Sequence, residues 1–276
     1  MTVRVEAACS FSVGGLGVTV ECDDAVLAAG LRQRYRQFSG PATVHFTAHI
    51  HLAGRQRASA LLDTALIFSD GAAQFTAPGY QGVIDDQIGE GWLTLSSAQP
   101  VDDADYYLRV AFALLAFRQG GLMFHAAGIV RRGKGHVFFG YSGSGKTTVA
   151  RLSSDATVLN DDLLLLKPAG DGPGWSVHAT PFWNPSQVAP SSSSSAPLAD
   201  LFRLVQDRRM YLEPMGRGQA LAELVANVPV IPSDPVRLCE LLERGRSLIN
   251  TVPVYHLHFL PDASFWSVID QAQTAE

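Results

Sequence analysis

The run Gly140-Tyr141-Ser142-Gly143-Ser144-Gly145-Lys146-Thr147-Thr148 has the spacing G-x-x-x-x-G-K-T of a loop that wraps a polyphosphate. Gly140, Gly143 and Gly145 permit turns that a Cβ would forbid, so successive N–H groups can converge on an anion. Ser142, Ser144 and Thr148 belong to the same cradle. The first turn of the following helix adds unpaired N–H groups and the positive end of its dipole. Lys146 can reach the β- and γ-phosphates, and the Thr147 hydroxyl can ligate Mg²⁺. The expected ligand is ATP with Mg²⁺, or a similar polyphosphate.

A second group of reactive residues follows one helix later. Thr157-Val158-Leu159 reads as a buried strand ending in Asn160-Asp161-Asp162. Adjacent carboxylates just beyond a phosphate loop stand where Mg²⁺-binding acids are expected. One can hold the metal while the other takes a proton from an attacking hydroxyl. Alternation along a straight strand would aim Asp161 and Asp162 in opposite directions, consistent with separate roles. Which acid does which stays open. His125, in an apolar strand close to the loop, is either a packed core residue or a further member of the pocket.

Positioning these groups requires a strand before the loop and a helix after it. Val137-Phe138-Phe139 supplies the strand and Thr147 to Ser153 the helix. Arg132-Gly133-Lys134-Gly135 turns between Leu122 to Val130 and His136 to Phe139, so a β-hairpin delivers the chain into the loop. Asp102-Asp103 opens a helix running to about Arg118. Downstream, residues 185–197 are rich in Ser and Pro, with Ser191 to Ser195 at the centre. That stretch is a candidate lid or acceptor-binding loop, or an ordinary surface insertion. Leu198 to Gln206 reads as a helix and Arg208 to Met215 as a strand. Further helices are expected over Gln219 to Ala226, from a Ser233 cap to about Leu248, and from Asp262. Val254 to Phe259 alternates as a strand with His256 and His258 on one face. Arg203, Arg208 and Arg209 are the nearest cations to a transferring phosphate, and each reads as a surface charge.

The first hundred residues look like a separate β-rich unit of unknown role. Short strands are expected around Val3-Val5, Val13, Val18-Val20, 42–52, 65–68, 73–76, 80–84 and 92–95. A helix capped by Asp23 or Asp24 runs among them to about Gln37. His45, His49 and His51 share one strand face, which reads as solvated and polar rather than as a metal site. The division expected is 1–100 for this unit and 101–276 for a nucleotide-binding domain. The fold class is α/β with a mixed sheet.

Composition narrows the partners. The chain has 276 residues, 47% hydrophobic and 17% charged, enough to bury a substantial core. A net charge of −5 argues against a nucleic-acid surface. Apolar runs such as Leu163 to Leu166 are too short to cross a bilayer, and no signal-peptide pattern opens the chain. Cys9, Cys22 and Cys239 lack metal-ligand spacing and read as buried small residues in a reducing cytoplasm. Monomer and homo-oligomer are both open.

The sequence His125-Ala126-Ala127, the hairpin, the glycine loop and Leu159-Asn160-Asp161-Asp162 together resemble a nucleotide-binding core shared by two families. One is ATP-dependent phosphoenolpyruvate carboxykinase and the other HPr kinase/phosphorylase. The match spans some forty residues. The chain is about half the length of the carboxykinases and lacks their further metal- and oxaloacetate-binding segments, so the kinase branch fits better. The resemblance implies that Lys146 and Thr147 hold phosphates and Mg²⁺. It further implies that Asp161 and Asp162 supply the metal contact and the base, with His125 lining the pocket. Where HPr kinases carry a glutamate–arginine–glycine signature soon after the paired aspartates, this chain has Thr180-Pro181-Phe182-Trp183-Asn184-Pro185 instead. The chain is in that respect similar to HPr-kinase-like proteins of peptide-modification systems, including kinases of lasso-type precursor peptides. The expected activity is ATP-dependent phosphoryl transfer to a hydroxyl of a protein, peptide or small molecule. A non-catalytic ATP-binding module is the alternative, and a GTPase is disfavoured because no N-K-x-D element occurs.

Overall fold

Buried residues recur at every second position along most of the N-terminal strands, which gives a sheet with one covered and one more open face. The computed structural model describes residues 5–56, 65–69, 72–170, 172–183, 187–190, 192–230 and 235–274. In order, the first elements are β1 (Ala7–Val13), β2 (Leu16–Cys22), α1 (Ala25–Arg34), β3 (Val44–Gly54), β4 (Ala65–Ser69), β5 (Ala72–Ala77), β6 (Tyr80–Asp85), β7 (Glu90–Ser96) and α2 (Pro100–Arg118). They make a seven-stranded sheet ordered β1-β2-β3-β7-β6-β5-β4, parallel at β2/β3 and β3/β7 and antiparallel elsewhere.

Asp24 caps α1 by accepting from the Leu27 N–H at 2.7 Å. Helix α2 is buried around most of its circumference, which requires cover on more than one side. It finds that cover on α1, β2, β3 and β7. The Tyr107 hydroxyl donates to the Val83 carbonyl at 2.8 Å, and a Cβ on Gly91 would stand 2.2 Å from that hydroxyl. Glycine there makes room for the ring. Buried Asp105 is neutralised by Arg34 and Arg109 and accepts from the Tyr35 hydroxyl, as a buried charge must be.

The two compact units part between Gln119 and Gly120, so α2 belongs with the N-terminal unit and the expected boundary at residue 100 moves by the length of that helix. The open face of the first sheet carries the three histidines. His49 lies 3.1 Å from Glu21 and stacks on Trp92, while His51 bonds Asp23 and His45 bonds the Thr43 carbonyl. Among the described residues no group of three or more His, Cys, Asp and Glu side chains is arranged for a metal.

The second unit comprises β8 (Leu122–Arg131), β9 (Lys134–Phe139), α3 (Lys146–Leu152), β10 (Thr157–Asn160), β11 (Leu163–Pro168), β12 (Trp175–His178), β13 (Ser195–Gln206), β14 (Tyr211–Pro214), α4 (Arg217–Ala226), α5 (Pro235–Thr251), β15 (Val254–Phe259) and α6 (Phe265–Thr274). Its eight-stranded sheet runs β10-β8-β11-β12-β13-β15-β14, with β9 between β8 and β13. Strands β9, β13 and β15 are parallel and the rest antiparallel, a mixed α/β arrangement. On one face Phe138, Phe202, Leu257 and Phe259 pack with Val149 of α3 and with Phe265, Trp266 and Ile269 of α6.

One sequence expectation fails here, and one strand was not foreseen. Leu198 to Gln206 is not a helix but part of β13, paired to β9 on one edge and β15 on the other. Leu201, Phe202 and Leu204 are all buried, so the strand reads as an apolar run without clean alternation, and such a run imitates a helix. The short β12, unexpected from the sequence, joins β11 to β13. Asn184, Pro185, Ser186, Ser191 and the expected cap Ser233 lie outside the described residues, so the candidate loop 185–197 is described only in part. Among the described residues no helix is long and apolar enough to cross a membrane.

Candidate functional site

The three parallel strands β9, β13 and β15 all end at the glycine loop, and the carboxyl ends of parallel strands are where α/β sheets hold their ligands. Strand β9 ends at Phe139 and the chain turns at once. Gly140, Gly143 and Gly145 have φ of +147°, +77° and +112°, values that an L side chain rarely adopts. A Cβ on Gly145 would also stand 2.5 Å from the Phe259 ring at the end of β15. From the end of β13, the Gln206 side-chain amide donates to the Gly143 carbonyl at 2.9 Å. The Ser144 N–H closes the loop on the Tyr141 carbonyl at 3.0 Å. The Ser144 hydroxyl is buried and lacks a hydrogen-bond partner among the described residues.

Lys146, the first residue of α3, is buried and folds back over the loop. Its ammonium donates to the Gly140 and Tyr141 carbonyls at 2.9 and 3.2 Å. Burial lowers its pKa, while the charges of Asp162 and Asp161 draw it back up.

Those acids occupy a break between two strands. Both β10 and β11 run antiparallel to β8, with Asn160 opposite Gly128 and Leu163 opposite His125. Between them the strand is interrupted, and both carboxylates act on the Lys146 charge. The straight strand that would set Asp161 and Asp162 in simple alternation is interrupted at these two residues. Asp161 accepts from the Val188 N–H at 3.0 Å through Oδ1 and from the Thr147 hydroxyl. Its Oδ2 is buried with no hydrogen-bond partner among the described residues. Burial raises the Asp161 pKa, and the bonds from Val188 and Thr147 oppose that rise. Asp162 Oδ1 lies 3.1 Å from His125 Nδ1, and the His125 imidazole is the more exposed partner at 39%. The His125 backbone N–H is held by the Asn227 carbonyl at the end of α4, 2.8 Å away.

Asn160 holds the break in place. Its side-chain amide donates to the Thr180 and Phe182 carbonyls, each at 3.0 Å, and its Oδ1 accepts the Asp162 N–H at 2.8 Å. Thr180 in turn donates to the Leu163 carbonyl at 2.6 Å. The motif Asn-Asp-Asp pointed at Asn160 only as a neighbour of the acids. Thr180 carried no sequence signal for this role, because its partners are brought to it by folding.

A carboxylate oxygen left unpaired in a buried setting, beside a threonine hydroxyl that bonds the same carboxylate, is a hard-oxygen donor set suited to Mg²⁺. Arg203, expected on the surface, is instead largely buried, with its guanidinium 4.6 Å above the Tyr141 ring. Arg208 and Arg209 are exposed. His258 stands 2.9 Å from Asp207 and stacks on Tyr211, whereas burial lowers the pKa of His256.

The family model for "SynChlorMet cassette protein ScmC" matches residues 108–274. The chain belongs to the ScmC family. That assignment covers nearly all of the second unit and replaces HPr kinase as the family name. No curated protein matches the chain. Among solved structures, the HPr(Ser) kinase/phosphatase from Coxiella burnetii overlaps 55% of this ScmC chain and 97% of its own, with 13% identity and a TM-score of 0.33. A likeness of that degree carries no argument about activity.

Proposed function

We propose that this ScmC protein binds Mg²⁺–ATP at the Gly140–Thr148 loop and transfers the γ-phosphoryl group to a hydroxyl acceptor, a serine of a protein or peptide or a small-molecule alcohol. One observation carries the reading. Lys146 and Thr147 of α3, Asp161 and Asp162 of the break between β10 and β11, and His125 of β8 come together at one end of one sheet, and a buried oxygen of Asp161 has no hydrogen-bond partner among the described residues.

The roles follow from what each side chain already touches. Lys146 now bonds loop carbonyls, and phosphate oxygens would take over those donors. Thr147 and Asp161 would hold Mg²⁺, which when bound neutralises phosphate charge. Asp162 would accept the proton of the acceptor hydroxyl as its oxygen bonds to the γ-phosphorus and the bond to the ADP oxygen breaks. His125, half-exposed beside it, holds that carboxylate in orientation. Positioning and charge neutralisation then account for the catalysis.

The test is incubation with γ-labelled ATP and Mg²⁺, followed by analysis of which molecules become labelled. Lys146→Ala and the double change Asp161→Ala/Asp162→Ala should abolish transfer while circular dichroism shows an intact fold. Full transfer by either variant rejects the assignment. Tight ATP binding by the unaltered protein, with neither hydrolysis nor transfer to any acceptor, would make the site a binding module instead.

A further inference from the structure

Arg203 has no part in the scheme above, yet it reaches the same loop. Strand β13 pairs in parallel with β9, and the register sets Arg203 opposite Phe139, the residue before Gly140. Its guanidinium lies 4.6 Å above the ring of Tyr141, whose carbonyl is one of the two that hold the Lys146 ammonium. Two cations from different elements thus meet at Gly140-Tyr141.

The guanidinium is poorly satisfied for one so buried. Its side chain is 14% exposed. Among the described residues its hydrogen bond is from Nη1 to the Leu204 carbonyl at 2.8 Å, while Nε is buried with no partner. Glu223 of α4 brings a carboxylate oxygen to 3.5 Å from Nε, an ion-pair distance without a hydrogen bond. Planar N–H donors left over in a desolvated site favour an acceptor that can take two of them, and phosphate oxygens do so better than a single distant carboxylate oxygen. Tyr141 is 69% exposed, so the ring that roofs the guanidinium is free to be displaced.

We propose that Arg203 is a ligand for the terminal phosphate of the bound nucleotide, and that Glu223 balances its charge when that phosphate is missing. This rests on the loop being a nucleotide site. It makes the site distinguish triphosphate from diphosphate, with Lys146 serving both and Arg203 only the former. Helix α4 is also engaged on the other side of the chemistry, because its C-terminal Asn227 carries the carbonyl that holds the His125 backbone.

The experiment is calorimetric titration of the full chain, in Mg²⁺ buffer, with ADP and with the non-hydrolysable β,γ-imido analogue of ATP. The expected result is that Arg203→Ala weakens the triphosphate analogue by roughly tenfold to a hundredfold, the usual range for a lost charge-assisted hydrogen bond, and ADP by less than about twofold. Arg203→Lys, which keeps charge and bulk if the alanine variant is poorly folded, should retain part of the preference. Glu223→Gln should bind the analogue as tightly as the unaltered chain or more tightly. Equal losses for both nucleotides, no loss for either, or a Glu223→Gln defect matching that of Arg203→Ala would overturn the assignment and make the pair structural. If the unaltered chain binds neither nucleotide, the reading of the loop itself fails, and Arg203 with it.

Discussion

Asn160→Ala offers the sharpest probe of how the two acids are held. The side chain is fully buried and makes bonds in opposite senses, as a donor to Thr180 and Phe182 and as an acceptor from Asp162. Alanine removes the Asn160 bond from the Asp162 N–H and from the Thr180 and Phe182 carbonyls, all in a buried setting. Each buried group left unpaired costs about 1–3 kcal/mol, and water entering the vacated space recovers part of it, so a net loss of about 2–4 kcal/mol is expected. Asn160→Asp should be worse, because it keeps the acceptor for Asp162 but sets a carboxylate against two carbonyl oxygens. Urea unfolding followed by tryptophan fluorescence is the assay. Trp175, Trp183 and Trp266 all lie in the second unit, so the signal reports mainly on it. An Asn160→Ala loss under about 0.5 kcal/mol, or an Asp variant as stable as the parent, would refute the claim that this amide organises the break.

Two further outcomes follow from burial. Asp161 has a raised pKa, so between 3.8 and its folded value the folded chain holds more proton than the unfolded chain, and stability falls as pH rises through that window. At neutral pH its charge is therefore a cost, and Asp161→Asn should raise the melting temperature of the nucleotide-free protein while removing the Mg²⁺-dependent part of nucleotide affinity. A lowered melting temperature would contradict this. His178, whose pKa burial pushes down to about 4 from 6.5, gives the opposite sign. Between those values the unfolded chain binds more proton, so stability rises with pH, and acidification from pH 7.5 to 4.5 should cost about 2–3 kcal/mol through this group. His178→Gln should flatten that part of a urea-midpoint-against-pH curve.

Much of the candidate site was legible along the chain because its signals are local. The glycine spacing, the lysine and threonine after it, the hairpin before it and the adjacent aspartates are all short-range patterns, and each sits on the kind of element expected for it. Backbone freedom at glycine and the apolar period of a strand are properties of a few consecutive residues, so no tertiary information is needed to find them.

What folding alone decided is long-range. Leu201, Phe202 and Leu204 became strand because β9 and β15 offered hydrogen bonds on both edges, overriding a composition equally suited to a helix. That outcome turned Arg203 from a surface charge into a neighbour of the loop. Helix α2 joined the first unit because buried surface on most of its sides needed cover that α1 and the sheet provide. Thr180 meets Asn160 across twenty residues. Pairings of that kind are set by which backbone groups find partners once the sheet closes, and no window of neighbouring residues contains them.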